Sequence, residues 1–366
     1  MKIERIETIV LRVPYGCGGS TDTEVWGGKP WATADALLVK ITTDAGITGW
    51  GEAFGYNAIP ATRVAIDQML TPICLGRDPL AIDALMLEVQ QKLHIFGRGG
   101  PVIFGLSGID IALWDIAGKA AGQPVHRLLG ACRLPALPCY ASLIRYTEPR
   151  LVAANVERAL QQGFRHIKLH EIEVAPTRAA REAAGPSVDI MLDVNCPWTV
   201  AQALEMAGRL RPLGLRWLEE PVWPPEDYAG IAQVRAQGGI HVAAGENAAT
   251  LHQFRRLMET GAVDFVQPSP TKMGGVTELR KVFELAATHD VTVMPHTFYD
   301  GPGLLAGIHV NAAAGRNSLV EWRFFDLEAR LYGDELVPKQ GSIAVPQGPG
   351  FGLEPDPAVI QRYRAD

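Results

Sequence analysis

From Lys168 to Glu246 the chain repeats one pattern. An apolar run of strand length closes on charged or polar residues, and a longer stretch with helical spacing follows. Asp189-Ile190-Met191-Leu192 runs into Asp193-Val194-Asn195, and Leu215-Arg216-Trp217-Leu218 runs into Glu219-Glu220-Pro221. Ile240-His241-Val242-Ala243 leads to Gly245-Glu246-Asn247, and Lys168-Leu169-His170 closes the run that precedes all three. The interval is roughly 25 residues, the length of one strand-plus-helix unit of a barrel. Strands centred near Cys139, Ile167, Ile190, Leu218, Val242, Val266, Val293 and Leu319 alternate with helical runs such as 151–162, 199–210 and 276–289. Eight strands in β/α order predict a closed parallel barrel.

The first third has a different rhythm. Segments 3–13, 34–42 and 47–53 alternate like antiparallel strands, with Asp44-Ala45-Gly46 as the connector of the last two. From residue 61 to about 122 the pattern is helical: Ile109, Ala112, Leu113, Ile116 and Ala117 share one face, and Gly118 and Gly122 stand near the close. A glycine-rich segment between the first two strands carries Tyr15, Trp26 and Trp31. It reads equally as a lid over a site or as a surface connection. Past Trp322 the alternation stops, and the Pro- and Gly-rich tail is expected to pack back on the first domain.

Composition narrows the function classes. The chain has 366 residues, enough for one large barrel and a smaller unit, and its 47% hydrophobic and 20% charged content is that of a globular protein. A net charge of -6 with scattered Lys and Arg provides no basic field, so no nucleic-acid partner is expected. The amino terminus shows no signal-peptide apolar core, and no apolar run approaches a membrane span, so no membrane partner is expected either. Five cysteines, odd in number and without paired metal spacing, read as reduced thiols of a cytoplasmic protein.

Strand alternation sorts the polar residues. It turns Lys168 and His170 inward while Ile167 and Leu169 face the helices, and it turns Asp193 with Asn195, and Trp217 with Glu219, into the crater. Glu220 then faces away or sits in a loop. Asp193, Glu219 and Glu246 converge at the carboxyl ends of successive strands, and a hard divalent cation is the ordinary reason to tolerate three carboxylates together. An inward Lys168 beside them points to function. His296 closes the seventh strand and Glu321 the eighth, both at the crater end. Tyr299 and Asp300 follow His296 and read equally as ligand contacts or loop filler.

Taken together, Lys168-x-His170, Asp193-x-Asn195, Glu219-Glu220-Pro221, Gly245-Glu246, Lys272-Met273-Gly274-Gly275-Val276 and Pro295-His296 resemble the enolase superfamily, mandelate racemase subgroup. The run Ser107-Gly108-Ile109-Asp110-Ile111-Ala112-Leu113-Trp114-Asp115 is similar to the helix that precedes the barrel in that family. The resemblance implies an α/β fold: a modified TIM barrel, (β/α)7β, over 126–322. An α+β capping domain over 1–125 would be joined by a C-terminal segment, 323–366, that returns to it. It further implies Mg2+ bound by Asp193, Glu219 and Glu246, His296 as a base, Glu321 as an electrophilic acid, and Lys168 on the substrate carboxylate. It also favours a homo-oligomer whose neighbour completes the lid. Two positions depart from the family pattern: His170 stands where a second Lys is usual, and Ser269 stands where an Asp usually supports the histidine of strand seven. Ser269 retains the capacity to orient His296 by a hydrogen bond.

The shared chemistry is removal of a proton alpha to a carboxylate from a small carboxylate substrate. With His170 and His296 on opposite sides of the crater, one histidine can act on each face. A sugar-acid (aldonate or aldarate) dehydratase is the leading expectation, because a departing β-hydroxyl needs an acid and His supplies one near neutral pH. A racemase, epimerase or cycloisomerase, and a catalytically silent binding barrel, are the alternatives. Substrate contacts are expected from Asn195, Ser269, Tyr299 and the capping aromatics Tyr15, Trp26, Trp31 and Tyr56.

Overall fold

The computed structural model describes residues 1–19, 31–130, 134–314 and 318–365. Strands β1 (Ile3–Gly16), β2 (Thr33–Thr43) and β3 (Thr48–Ala53) form an antiparallel meander. Gly46 makes the β2–β3 turn with φ +79°, and its N–H donates to the Thr43 carbonyl at 2.9 Å. The helix Pro101–Ala121 lies directly on β3. The approach is so close that a Cβ at Gly49 would stand 2.2 Å from the Ala112 carbonyl oxygen, and one at Gly51 1.9 Å from that of Gly108. Only glycine permits this contact.

This 21-residue helix, whose most apolar 18-residue window has mean hydropathy 1.4, is long and apolar enough to cross a membrane. That corrects the expectation that no apolar run approaches such a length. In this fold 83% of its most apolar window is buried, so it serves as the core helix of the cap.

The barrel strands are β4 (Ala136–Ser142), β5 (His166–Leu169), β6 (Asp189–Asp193), β7 (Leu218–Glu219), β8 (Val242–Ala244), β9 (Phe265–Val266), β10 (Thr292–Val293) and β11 (Val320–Arg323). All eight are parallel neighbours in the order β10-β9-β8-β7-β6-β5-β4-β11, with a helix between each consecutive pair. The two ends of the sheet are brought together by side chains: Ser318 Oγ donates to the Val293 carbonyl at 2.6 Å and Thr297 Oγ1 to that of Glu321 at 2.9 Å. Inside, Tyr140, Met191, Trp217, Ala243, Met294 and Leu319 form a separate apolar layer. They come from inward positions on or beside β4, β6, β7, β8, β10 and β11, and they make the floor on which the polar residues stand.

The cap is joined to the barrel through the helix Pro101–Ala121. Ser107 Oγ accepts from Gly274 N at 2.8 Å, Asp110 Oδ1 from Thr277 N at 3.1 Å, and Trp114 Nε1 donates to Thr277 Oγ1 at 2.9 Å. Gly275, with φ +75°, allows this docking, since a Cβ there would stand 2.1 Å from Asp110 Oδ1. Burial pushes the Asp110 carboxyl up to about 7. Within the tail, β12 (Asp326–Leu327) pairs antiparallel with β1. In addition β13 (Ser342–Ala344) pairs antiparallel with β4, so the tail also braces the barrel.

Candidate active site

Asp193 and Glu219 are the last residues of β6 and β7, and Glu246 lies two residues beyond β8. Each offers a carboxylate oxygen, and the three oxygens lie within 4.8 Å of one another. Lys168, fully buried on β5, places Nζ 2.9 Å from Glu219 Oε1, 2.8 Å from Glu321 Oε1 and 3.4 Å from Asp193 Oδ2. Burial disfavours the ammonium, yet Glu219 and Glu321 outweigh it and hold Lys168 charged. Burial also opposes ionisation of Asp193, but Lys168 and His170 hold its carboxyl down at about 2. For Glu246, His296 and Lys272 outweigh burial and hold it well below the usual range. The repulsion falls on Glu219, pushed well up by burial and then by Asp193. Three converging hard oxygen donors, one of them carrying this repulsion, fit a hard divalent cation such as Mg2+.

The histidines flank this centre. His170 Nε2 lies 3.3 Å from Asp193 Oδ2, and its Nδ1 bonds the Leu143 carbonyl. His296 Nε2 lies 2.9 Å from Glu246 Oε2. Both rings pack against Phe298, with centroids 6.0 and 6.5 Å away, and both line one cavity of about 960 Å³. Such a volume is within the range of small-molecule sites.

Several expected contacts fall elsewhere. Ser269 Oγ lies 2.5 Å from the Tyr299 hydroxyl, while His296 Nδ1 is buried with no hydrogen-bond partner among the described residues. In this structure Ser269 is engaged with Tyr299 and not with His296. Tyr299 and Ser269 are both buried and do not line the cavity; Tyr299 packs edge-on against His296 at 5.8 Å. Tyr15 also lies outside the cavity lining, its ring stacked on Phe325 at 4.1 Å and its hydroxyl donating to the Trp31 carbonyl at 2.8 Å. Asp300 is paired with Arg323. Trp26 lies outside the described residues. Asn195, Trp31 and Tyr56 do line the cavity, the last two stacked at 4.7 Å.

Glu321 accepts from three donors: Lys168 Nζ, Ser142 Oγ at 2.8 Å and Thr297 N at 3.1 Å. Although burial opposes it, Lys168 and His296 hold the carboxyl below its usual range. In this arrangement Glu321 holds Lys168 in place. Glu220, expected to face away or sit in a loop, is in the loop with φ +46° and lines the cavity. Its oxygens accept from Asn247 Nδ2 at 3.0 and 2.9 Å, and Cys196 Sγ lies 3.3 Å away. Sequence reasoning passed over Phe54, Arg98, Asn247 and Lys272, which also face the cavity. Only Lys272 carried a signal, its place beside the glycine pair that receives the capping helix.

Comparison with known proteins agrees with this geometry. Residues 29–130 match the mandelate racemase/muconate lactonizing enzyme N-terminal domain, and residues 151–359 match the enolase C-terminal domain-like family. The chain belongs to the mandelate racemase/muconate lactonizing enzyme family.

Members of this family similar to the chain include an arabinonate dehydratase of Saccharolobus solfataricus, 32% identical over 90% of this chain and 91% of the relative. A 3,6-anhydro-alpha-L-galactonate cycloisomerase of Streptomyces coelicolor is 30% identical over 96% of each chain. Among solved structures, a racemase from Streptomyces coelicolor A3(2) with bound magnesium superposes with TM-score 0.88 at 30% identity, covering 99% of this chain and 100% of that one. The protein is thus an enolase-superfamily enzyme with a capped (β/α)7β barrel and a carboxylate triad able to hold a metal ion.

Proposed function

We propose that this enzyme is a Mg2+-dependent dehydratase of sugar acids, removing the proton alpha to a carboxylate and then the β-hydroxyl to give a 2-keto-3-deoxy acid. The observation that carries this reading is the convergence of Asp193, Glu219 and Glu246 against Lys168, with His170 and His296 facing the same cavity across Phe298. The dehydratases among its relatives, which act on arabinonate, D-xylonate and D-galactonate, support the substrate class.

Asp193, Glu219 and Glu246 would hold the Mg2+, which when bound supplies positive charge for the substrate carboxylate as its alpha proton is lost. Lys168 adds a second charge on that carboxylate, held in place by Glu321. His296 takes the alpha proton at Nε2, the atom turned toward the centre. His170, on the other side of Phe298, donates a proton to the departing hydroxyl from Nε2, since its Nδ1 is held by the Leu143 carbonyl. The enol left behind becomes the keto acid on reprotonation. The reading carries with it a cytoplasmic setting and a homo-oligomer, the latter measurable by light scattering.

Two relatives are cycloisomerases, acting on 3,6-anhydro-alpha-L-galactonate and D-galactarolactone, which keeps ring opening through the same proton abstraction as the second reading. Incubation with Mg2+ and a sugar-acid library in D2O separates the two. A 2-keto acid lighter than its substrate by one water supports dehydration. A product of the same mass as its substrate, or alpha deuterium without a keto acid, supports the isomerase reading.

A further inference from the structure

Trp217 belongs to the apolar floor of the site and still carries one polar atom. The side chain is fully buried, its ring tilted against Phe265 at 5.0 Å and edge-on to Tyr140 at 6.0 Å. It stands just before β7 and points inward, as Glu219 does two positions on. Its indole N–H donates to Glu219 Oε2 at 2.9 Å. An indole has one donor and no acceptor, so this bond takes all of its hydrogen-bonding capacity. Phenylalanine would fill an apolar floor without a buried N–H to satisfy, so the polar atom calls for a reason beyond packing.

Glu219 is the triad member for which that bond matters. Asp193 has His170 Nε2 at 3.3 Å and accepts from Asn195 N at 2.9 Å, and Glu246 has His296 Nε2 at 2.9 Å. Glu219 Oε1 faces Lys168, but that ammonium is shared with Glu321 and Asp193 and, in the proposed reaction, also with the substrate carboxylate. The indole is not shared: its single proton goes to Glu219 Oε2, and the ring is held between Phe265 and Tyr140. A hydrogen bond from outside the coordination sphere orients a ligand carboxylate and strengthens its hold on a metal. We infer that Trp217 is a positioning residue of the metal centre: its N–H fixes the Glu219 carboxylate so that Asp193, Glu219 and Glu246 hold one Mg2+ together, and this raises the affinity for the ion.

This role rests on the Mg2+ reading and is independent of which sugar acid is turned over. Calorimetric titration of the metal-free protein with MgCl2 tests it, comparing the wild type with Trp217→Phe, which keeps a ring in the floor and removes the N–H. Trp114→Phe is the control, since it also gives up a 2.9 Å indole bond, the one to Thr277 at the joint of cap and barrel. Trp217→Phe should bind Mg2+ about tenfold more weakly than the wild type, and Trp114→Phe should stay within about twofold of it. A melting curve verifies that each variant is folded at the titration temperature. A purely apolar role in the floor would lower the melting temperature and leave Mg2+ affinity unchanged. That result, or an equal loss of affinity in both variants, would overturn the inference. Should Trp217→Phe not fold, the wild-type protein with isotope-labelled indoles provides the second measurement by nuclear magnetic resonance. Mg2+ should shift the Trp217 indole N–H signal more than that of Trp114, and an unmoved Trp217 signal would overturn the inference. A wild type that binds no Mg2+ sinks the metal reading itself, whereas wild-type binding matched by Trp217→Phe sinks this role alone.

Discussion

Lys168 Nζ lies 2.8 Å from Glu321 Oε1, both side chains fully buried on barrel strands two and eight. The remaining contacts of Glu321 come from donors, so the pair is an ammonium held by a carboxylate. Lys168→Met should therefore lower kcat about a thousandfold, the loss expected when charge is removed from a developing anion. Glu321→Gln keeps an oxygen for Lys168 and should cost only about tenfold. Steady-state keto-acid formation measures both. Equal losses would make Glu321 a proton donor in its own right.

Metal removal has a defined signature. Chelation should abolish turnover, and Mg2+ should restore it. Mg2+ at about 100 times its dissociation constant should stabilise the fold by about 2.7 kcal/mol through mass action. Asp193→Asn should lose that stabilisation in a thermal melt, because one of the three converging oxygens no longer carries charge.

The joint between cap and barrel predicts a pH dependence. Burial holds the Asp110 carboxyl up at about 7, against 3.8 for the free side chain. Between these values the folded protein keeps a proton that the unfolded chain has released. The stability from Asp110 is thus full below pH 3.8 and is lost as pH rises through about 7. Asp110→Asn keeps the acceptor for Thr277 N without the ionisation. At pH 8 it should be more stable than the wild type by an amount on the order of 1 kcal/mol, with the advantage shrinking toward pH 4. Urea unfolding at the two pH values measures this, and an advantage that grows toward acid would contradict it.

Ser269→Ala isolates the position where the family usually has an Asp. Because Ser269 Oγ is engaged by the Tyr299 hydroxyl, its loss should cost about 1 kcal/mol of stability and change kcat by no more than about twofold. A loss of a hundredfold in kcat would mean that it supports His296 after all.

The barrel was legible because its signal is periodic. Asp193 and Glu219 end β6 and β7 as the alternation of inward and outward positions requires, and Trp217 joins the interior layer two residues before Glu219. The rule fails where the strand stops. Strand β7 is only Leu218–Glu219, and at Glu220 a φ of +46° turns the next side chain back into the cavity. Nothing in the residue types announces that turn. Loop aromatics were read by composition alone, which cannot distinguish Tyr56, in the cavity wall, from Tyr15, stacked behind it on Phe325. Phe54 and Arg98 enter the site only through the way the cap sits on the barrel, a long-range relationship that no local pattern encodes.

The most direct measurement is a crystal grown with Mn2+ in place of Mg2+ and examined by anomalous scattering. The account predicts one strong peak coordinated by Asp193, Glu219 and Glu246, with Lys168 beside it and outside the coordination sphere. A peak elsewhere, or none while the three side chains keep their present arrangement, would contradict it.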